Sequence, residues 1–503
     1  FDVLSAIIDE SDHALTTHLN TLVSAQIIVP APAAARRYSF RHALMRDAAY
    51  ETMLRSVRAM VHARIAAVLG ARFRKITPAH VLGSHWGLSG NHAEATRCFQ
   101  QAAEQASSRY ANTEATAYFR SALSHLEQVT LSDGLHPGTL PERADLLEQL
   151  GTVLTLVHDL DGAVAAYREA VGLVQDNPRK TARLHRLTGN ALQQDRAGSL
   201  AELAAAEAAL DQTAWRDDAE LLREWIDIQL NTLNVHYWSG DGEAMSQLAA
   251  GLAQDVGSMT AEQRAEYFDQ LVLRDLRMSR YDPTEDTIET ASNYVSAAEE
   301  TGNLAIIASA LFILGFVNLH SIRLPQAQEA MTAGLEAARQ SGHRKIELRC
   351  MTYLSLVYRR MHNPSEATRL SHESIALAQE LEMHEYIALA TANLSWEAWQ
   401  RGADSTACKL ARDAMVQFEK TSIAYPFEWS ALLPLIASSQ TQKDLSEVPK
   451  LCARLLDSSQ QNLPETLRNV VADIATLTGT DDVPLIKRRI AALIDAARYS
   501  GFL

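Results

Sequence analysis

A small residue returns along this chain at a nearly constant interval. Ala163, Ala201, Ala244, Thr287, Ala327, Ala367 and Ala407 are separated by 38, 43, 43, 40, 40 and 40 residues. Self-similarity at this period limits the fold before any other feature does. One such unit cannot bury its own apolar face, so units must stack and the chain becomes an array. Within the unit the apolar residues follow helical spacing. Leu147, Leu150, Gly151 and Leu154 share one helical face, and Ala163, Tyr167 and Ala170 share another beyond the turn HDLDG. A Gly or Ala is needed where two helices cross closely, and a ring fills the gap to the next unit. The turns SGDGE, MHNPSE and RGADS carry the Gly, Asn, Asp and Pro that interrupt helices. Composition agrees. Apolar residues are 47% of the 503, good helix formers dominate, and Gly and Pro number only 22 and 14.

The order of residues, a large one, Leu-Gly, a small Ala, an aromatic and Ala, resembles the tetratricopeptide (TPR) pattern. It occurs earlier as Leu82, Gly83, Trp86, Ala95, Phe99 and Ala102, with a further helix carrying Ala115, Phe119 and Ala122. The fold expected is all-α, a TPR-like right-handed α-solenoid. Its period exceeds the usual TPR repeat of about 34 residues, which predicts helices or turns longer by roughly a turn. Residues 74–128 read as the first TPR-like helices and 129–142, rich in Pro and Gly, as a loop or hinge. Residues 143–460 read as the main array and 461–503 as capping helices. The most apolar run, 304–319, contains Ser309 and Asn318 and is too short for a membrane span, so a buried helix is expected there.

Residues 1–73 follow a different pattern. An amphipathic helix (Leu15, Leu19, Leu22, Val23) leads into a short strand at Ile27–Val29. A Pro/Ala turn follows, then an alternating strand in RRYSFRH, then a helix in ALMRDAAYETML. This order predicts a small winged-helix (α+β) segment. It also holds most of the local positive charge. Ten Lys and Arg between Arg36 and Lys75 face only Asp47 and Glu51, while the whole chain carries −15. That overall charge speaks against a general nucleic-acid binder.

The segment FRHALMRDAAYETMLRSVRAMVHARIAAVL resembles the winged-helix region of bacterial STAND-type signalling ATPases. Phe40, Arg41, His42, Ala43, Leu44, Ala49, Tyr50, Leu54, Arg58, His62 and Ile65 carry the likeness. The nearest group combines a class III adenylate/guanylate cyclase domain, an AAA-type ATPase domain and a C-terminal TPR array. LGSHWGLSGNHAEATRCFQQAAEQA is similar to the first repeat of that group. The likeness covers residues 1–130, and the remainder is generic TPR. It implies that His42, helped by Arg41, senses the nucleotide of an upstream domain binding ATP or ADP with Mg. An imidazolium donates well to phosphate, which suits the role. His62 is expected to brace its helix against the first repeat. The start FDVLSAIIDE reads as a cut through a longer protein. The resemblance further implies homo-oligomerisation on activation, and the four separate cysteines, read as reduced cytosolic thiols, give the expectation of a cytoplasmic location.

Nothing in the chain reads as catalytic. There is no GxxxxGK[ST], GxSxG or HExxH, and Cys98, Cys350, Cys408 and Cys452 lack zinc-ligand spacing. No metal or cofactor is expected in this chain. Aligning the repeats predicts that His236, Tyr237, Arg280, Phe316, His320, Arg359, Arg360, Trp396 and Trp399 line the concave face. Aromatic and Arg side chains there would anchor a protein, peptide or small-molecule inducer. The reading that follows is a sensor module that relays ligand binding to an upstream ATPase and its effector. The alternatives are a TPR scaffold without switching, or a LuxR-like or winged-helix transcriptional regulator. The end IDAARYSGFL shows no helix-turn-helix of the LuxR class.

Overall fold

Short polar side chains set where many of the helices begin. Asn91, Asp159, Asn177, Asp195, Asp241 and Asn363 each accept a hydrogen bond from the backbone N–H three residues on. This satisfies a donor that has no partner inside the helix. The computed structural model describes residues 1–8, 10–31, 36–133, 139–174, 176–192, 195–211, 214–421, 425–478 and 482–503. These fall into two compact units, 1–228 and 229–503.

In the first unit, α1 (Asp2–Ile7) and α2 (Asp12–Ser24) precede β1 (Ile28–Pro30) and β2 (Tyr38–Phe40). The strands pair antiparallel, Ile28 opposite Phe40 and Pro30 opposite Tyr38. Leu15, Leu19 and Ile28 make a small core beneath Phe1, Val23 and Tyr38. Then come α3 (Ala43–Thr52) and α4 (Arg55–Arg72). No residue of α3 is buried. Helical hairpins follow: α5 (Ala79–Ser89) with α6 (His92–Ser107), then α7 (Asn112–Asp133), α8 (Thr139–Leu156) with α9 (Leu160–Leu173), and α10 (Pro178–Ala191) with α11 (Arg196–Leu210). The unit division falls inside α12 (Ala219–Ser239).

Gly151 shows why the crossing needs a small residue. A β-carbon there would lie 2.5 Å from Cε1 of Tyr167, the ring that fills the gap between α8 and α9. The loop or hinge read at 129–142 is helical at both of its ends. Residues 129–133 complete α7 and 139–142 begin α8, and only 134–138 lie outside the described residues. Pro141 is the third residue of α8, in the first turn, where its missing N–H costs no intrahelical bond.

The second unit contains α13 (Gly242–Leu252), α14 (Ala261–Met278), α15 (Glu285–Thr301), α16 (Leu304–His320), α17 (Leu324–Ser341), α18 (Arg344–Arg360) and α19 (Pro364–Glu380). It continues with α20 (His384–Gln400), α21 (Asp404–Phe418), α22 (Trp429–Ala437), α23 (Gln442–Leu455), α24 (Glu465–Ala475) and α25 (Val483–Tyr499). Helices α14, α16, α18, α20 and α22 pack side by side as one layer. They hold about half of a single apolar core running from Ala265 to Leu503, and the helices and segments between and after them hold the rest. The apolar run 304–319 is buried within α16. Among the described residues no helix is long and apolar enough to cross a membrane. Both units are TPR-like helical repeats with the small sheet near the start.

The repeat register needs one correction. In four hairpins the buried residue of the second helix is the fourth after its cap, Ala163 after Asp159, Ala327 after Arg323, Ala367 after Asn363 and Ala407 after Ala403, while Thr287 is the third after Thr284. By that rule Ser199 and Met245 hold the places expected for Ala201 and Ala244, and both are buried. Ala201 is exposed. The Ser199 hydroxyl donates to the Gly189 carbonyl at 2.8 Å, so a polar residue fits the crossing.

Candidate functional site

The second unit encloses a cavity of about 770 Å³ against the faces of α14, α16 and α18. Leu276 and Arg277 come from α14, Ile313 and Phe316 from α16, Arg349 and Tyr353 from α18. Tyr237 and Trp238 close one side from the end of α12. The opposite side is built by segments that return from later in the chain: Tyr425, Pro426 and Phe427 before α22, and Ser458 to Gln460 after α23. Tyr386, from the first turn of α20, completes the ring of aromatic side chains.

Arg280 and Tyr281 place the returning segment. Both have positive φ, 52° and 61°, a backbone region that costs free energy for a residue with a β-carbon. Hydrogen bonds hold them there. Arg280 donates to the carbonyls of Asp457 and Gln460 at 2.9 and 2.7 Å, and the Asn462 N–H donates to its own carbonyl at 2.9 Å. Gln461 binds on four sides. It donates to the Tyr281 carbonyl, accepts from the Trp429 indole at 2.8 Å, meets His320 Nδ1 at 3.1 Å, and its N–H reaches the Pro426 carbonyl.

Arg349 dominates the electrostatics. Its guanidinium lies 4.2 Å from the centre of the Phe312 ring and is enclosed by protein, while part of the side chain faces the cavity. Burial opposes its charge, but Tyr386, Tyr353, Asp269 and Tyr425 outweigh that and hold its pKa above the usual value. Its Nε is buried and has no hydrogen-bond partner. Burial pushes the Asp269 carboxyl up to about 7, with Arg349 opposing and Glu266 adding to the shift. Tyr353 and Tyr425 share a hydroxyl–hydroxyl bond of 2.7 Å, and burial raises both phenols well above their ordinary range.

The residues expected on the concave face divide into two groups. Tyr237, Arg280 and Phe316 line the cavity. His320, Arg359, Arg360 and Trp396 do not, because the chain itself covers them and all four are buried. Arg359 donates to Asn393, to the Ser430 carbonyl and, at 3.1 Å, to the Phe502 carbonyl. It stands over the Trp396 and Trp429 rings. Arg360 donates to the Leu319 carbonyl and lies over Trp429 and Phe502. Burial, with Arg360 beside it, pushes Arg359 down to about 9, and burial pushes Arg360 down to about 10. Both remain charged at neutral pH. Trp399 is half-buried under Arg498, and His236 lies 3.5 Å from Asp241, outside the lining. Arg349, Tyr353, Tyr386, Tyr425 and Phe427 were not expected from the sequence. Arg349 had no distinctive signal, because it follows Arg344, Lys345 and Glu347 within one charged stretch ahead of the apolar run CMTYLSLVY.

In the first unit, His42 caps α3 with its backbone only, and it and Arg41 are exposed. Neither is among the residues that line the cavity. His62 braces α4 against α5 as expected. Its Nδ1 lies 2.8 Å from His85 Nδ1 and its Nε2 3.0 Å from the Tyr50 hydroxyl.

No protein-family model matches the chain, and no curated protein matches its sequence. Among solved structures it is similar to a signal transduction ATPase with numerous domains (STAND) that has a tetratricopeptide repeat sensor, from Pyrococcus horikoshii. The identity is 12% over 95% of this chain, with a TM-score of 0.46. The chain spans 62% of the length of that protein. It is similar to apo RapI at 13% identity, over 80% of this chain and 97% of RapI, with a TM-score of 0.48. For yeast Tom70 the values are 10%, 88%, 92% and 0.36. Likenesses at these TM-scores carry no argument about function.

Proposed function

We propose that this chain is a regulatory binding module whose helical repeats take a ligand in the cavity between α14, α16, α18 and the returning segments. The observation that carries the reading is the cavity itself: about 770 Å³, walled by aromatic rings, with Arg277, Arg280 and Arg349 in its lining. Concave, largely apolar sites with a few placed polar groups are what ligand recognition uses. Native mass spectrometry of the protein purified from its source tests this. The expected result is a stoichiometric small-molecule or peptide adduct that is absent from an Ile313→Trp variant, in which the cavity is filled. Absence of an adduct from wild type, before and after incubation with extract, would remove the reading.

The finer reading is that residues 1–73 form a winged helix that relays occupancy to a nucleotide-binding domain of the same protein, and through it to an effector. Its support is the exposure of Arg41 and His42 and the unburied helix α3, where Leu44 is 81% exposed and Leu54, beyond its end, 72%. These residues have the chemistry to contact phosphate and a neighbouring domain. In the full-length protein, His42→Ala is expected to weaken ADP retention. Unchanged retention would leave a TPR interaction scaffold without switching as the remaining function.

A further inference from the structure

The cavity holds more positive charge than the protein compensates. We propose that it binds an organic anion with a flat aromatic body, its acidic group on Arg349 and its body among the surrounding rings. This rests on reading the cavity as a ligand site. Three arginines line it, Arg277, Arg280 and Arg349, and none has a carboxylate at ion-pair distance among the described residues. Arg280 is satisfied by the backbone carbonyls of Asp457 and Gln460, and Arg277 by the carbonyl of Tyr237. Carbonyl groups accept the donors without cancelling the charge. Lys420 also faces the cavity, while Glu382 and Glu385 oppose it. The lining therefore carries a positive excess in a chain whose net charge is −15.

Arg349 singles out where the acid would sit. It is the deepest of the three, enclosed by protein, and its Nε has no acceptor. A carboxylate or phosphate oxygen against the part of Arg349 that faces the cavity would compensate this charge and gain a charge-assisted bond, often in the paired geometry a guanidinium favours. The walls select the rest of the ligand. Phe316, Tyr353, Tyr386 and Phe427 are buried rings that border the cavity. An inorganic ion would leave these rings uncovered, and a neutral aromatic molecule would leave the positive excess of the lining uncompensated. The volume suits a molecule between a dipeptide and a nucleotide in size.

Ligand-observed NMR and calorimetry on the whole chain decide the matter with three sets of probes. These are benzoate and phenyl phosphate, their neutral counterparts benzamide and phenol, and the bare ions acetate and inorganic phosphate. The aryl anions are expected to bind at least tenfold more tightly than either of the other sets. Arg349→Met should erase that preference and Arg349→Lys should restore part of it, with binding of benzamide and phenol unchanged in both variants. Those neutral probes report that the cavity is intact. Equal binding of charged and neutral aryl probes, or an anion preference that survives Arg349→Met, overturns the anion assignment and leaves the cavity as a site for neutral ligands. Binding of none of the six overturns both readings.

Discussion

Asp269 sits in α14 close enough to Arg349 for their charges to interact, yet burial holds its carboxyl at about 7. In the unfolded chain the same group titrates near 3.8. As pH rises above about 4 the unfolded chain gives up a proton that the folded chain retains, so this group costs folding stability from there to about 7. The neighbouring charges are those of Arg349 and Glu266, and Tyr294 also senses Asp269. Asp269→Asn is therefore expected to stabilise the protein at pH 8 by about 1–3 kcal/mol and to change nothing at pH 4. Urea titrations at the two pH values measure it. Gly151→Ala is expected to cost about 1–3 kcal/mol, because its β-carbon would meet the Tyr167 ring. The same titrations at pH 8 report that loss.

At the scale of elements, the α4–α5 brace has the opposite pH response. A bond between two imidazole nitrogens needs one ring to donate and the other to accept, so His62 and His85 cannot both be protonated in it. Burial lowers both pKa values, and the His62 charge lowers that of His85 further. As pH falls below about 6.5 the unfolded chain takes up protons before the folded one does, and stability is lost. In an Asp269→Asn background, which removes the opposing contribution of that carboxyl, the urea midpoint should fall between pH 7 and pH 5, and His85→Gln should flatten that slope. The elements also show how much was legible from sequence. The hairpins were, because an Asp or Asn cap, a buried small residue four positions later and a ring such as Tyr167 all lie within one unit. Two of the small residues were misplaced, because a hydroxyl (Ser199) and a thioether (Met245) fill the crossing as well as a methyl group does. The cavity was legible only in part. Tyr237, Arg280 and Phe316 follow from helical periodicity. The wall that turns this face into a cavity comes from Tyr425–Phe427 and Ser458–Gln460, and no local pattern announces a contact that far along the chain. The same distance hid the burial of Arg359 and Arg360 beneath Phe502.

Across the whole molecule, stacked hairpins are stabilised mainly by their neighbours, so damage should stay local in sequence-ordered arrays. The second unit departs from that rule, since Phe502 packs on Trp429 and Arg360 and its carbonyl accepts from Arg359. Phe502→Ala is expected to cost about 3–5 kcal/mol. Amide exchange should accelerate in α18, α22 and α25 together, although α18 is far from residue 502 in sequence. Exchange confined to α25 would show that the contact with α18 contributes little.

The bond from Arg280 to the Gln460 carbonyl joins positions 180 residues apart. It gives the second unit a mechanical property that a simple stack of hairpins lacks. A stack pulled by its ends peels one hairpin at a time, in small steps of extension. Here the intervening chain is shielded from tension while the clasp holds, and it is released when the clasp breaks. At about 3.5 Å of contour per residue, the slack freed is on the order of 600 Å. Stretched between two optical traps, the protein should show one long extension event, and Arg280→Ala should replace it with a ladder of short ones.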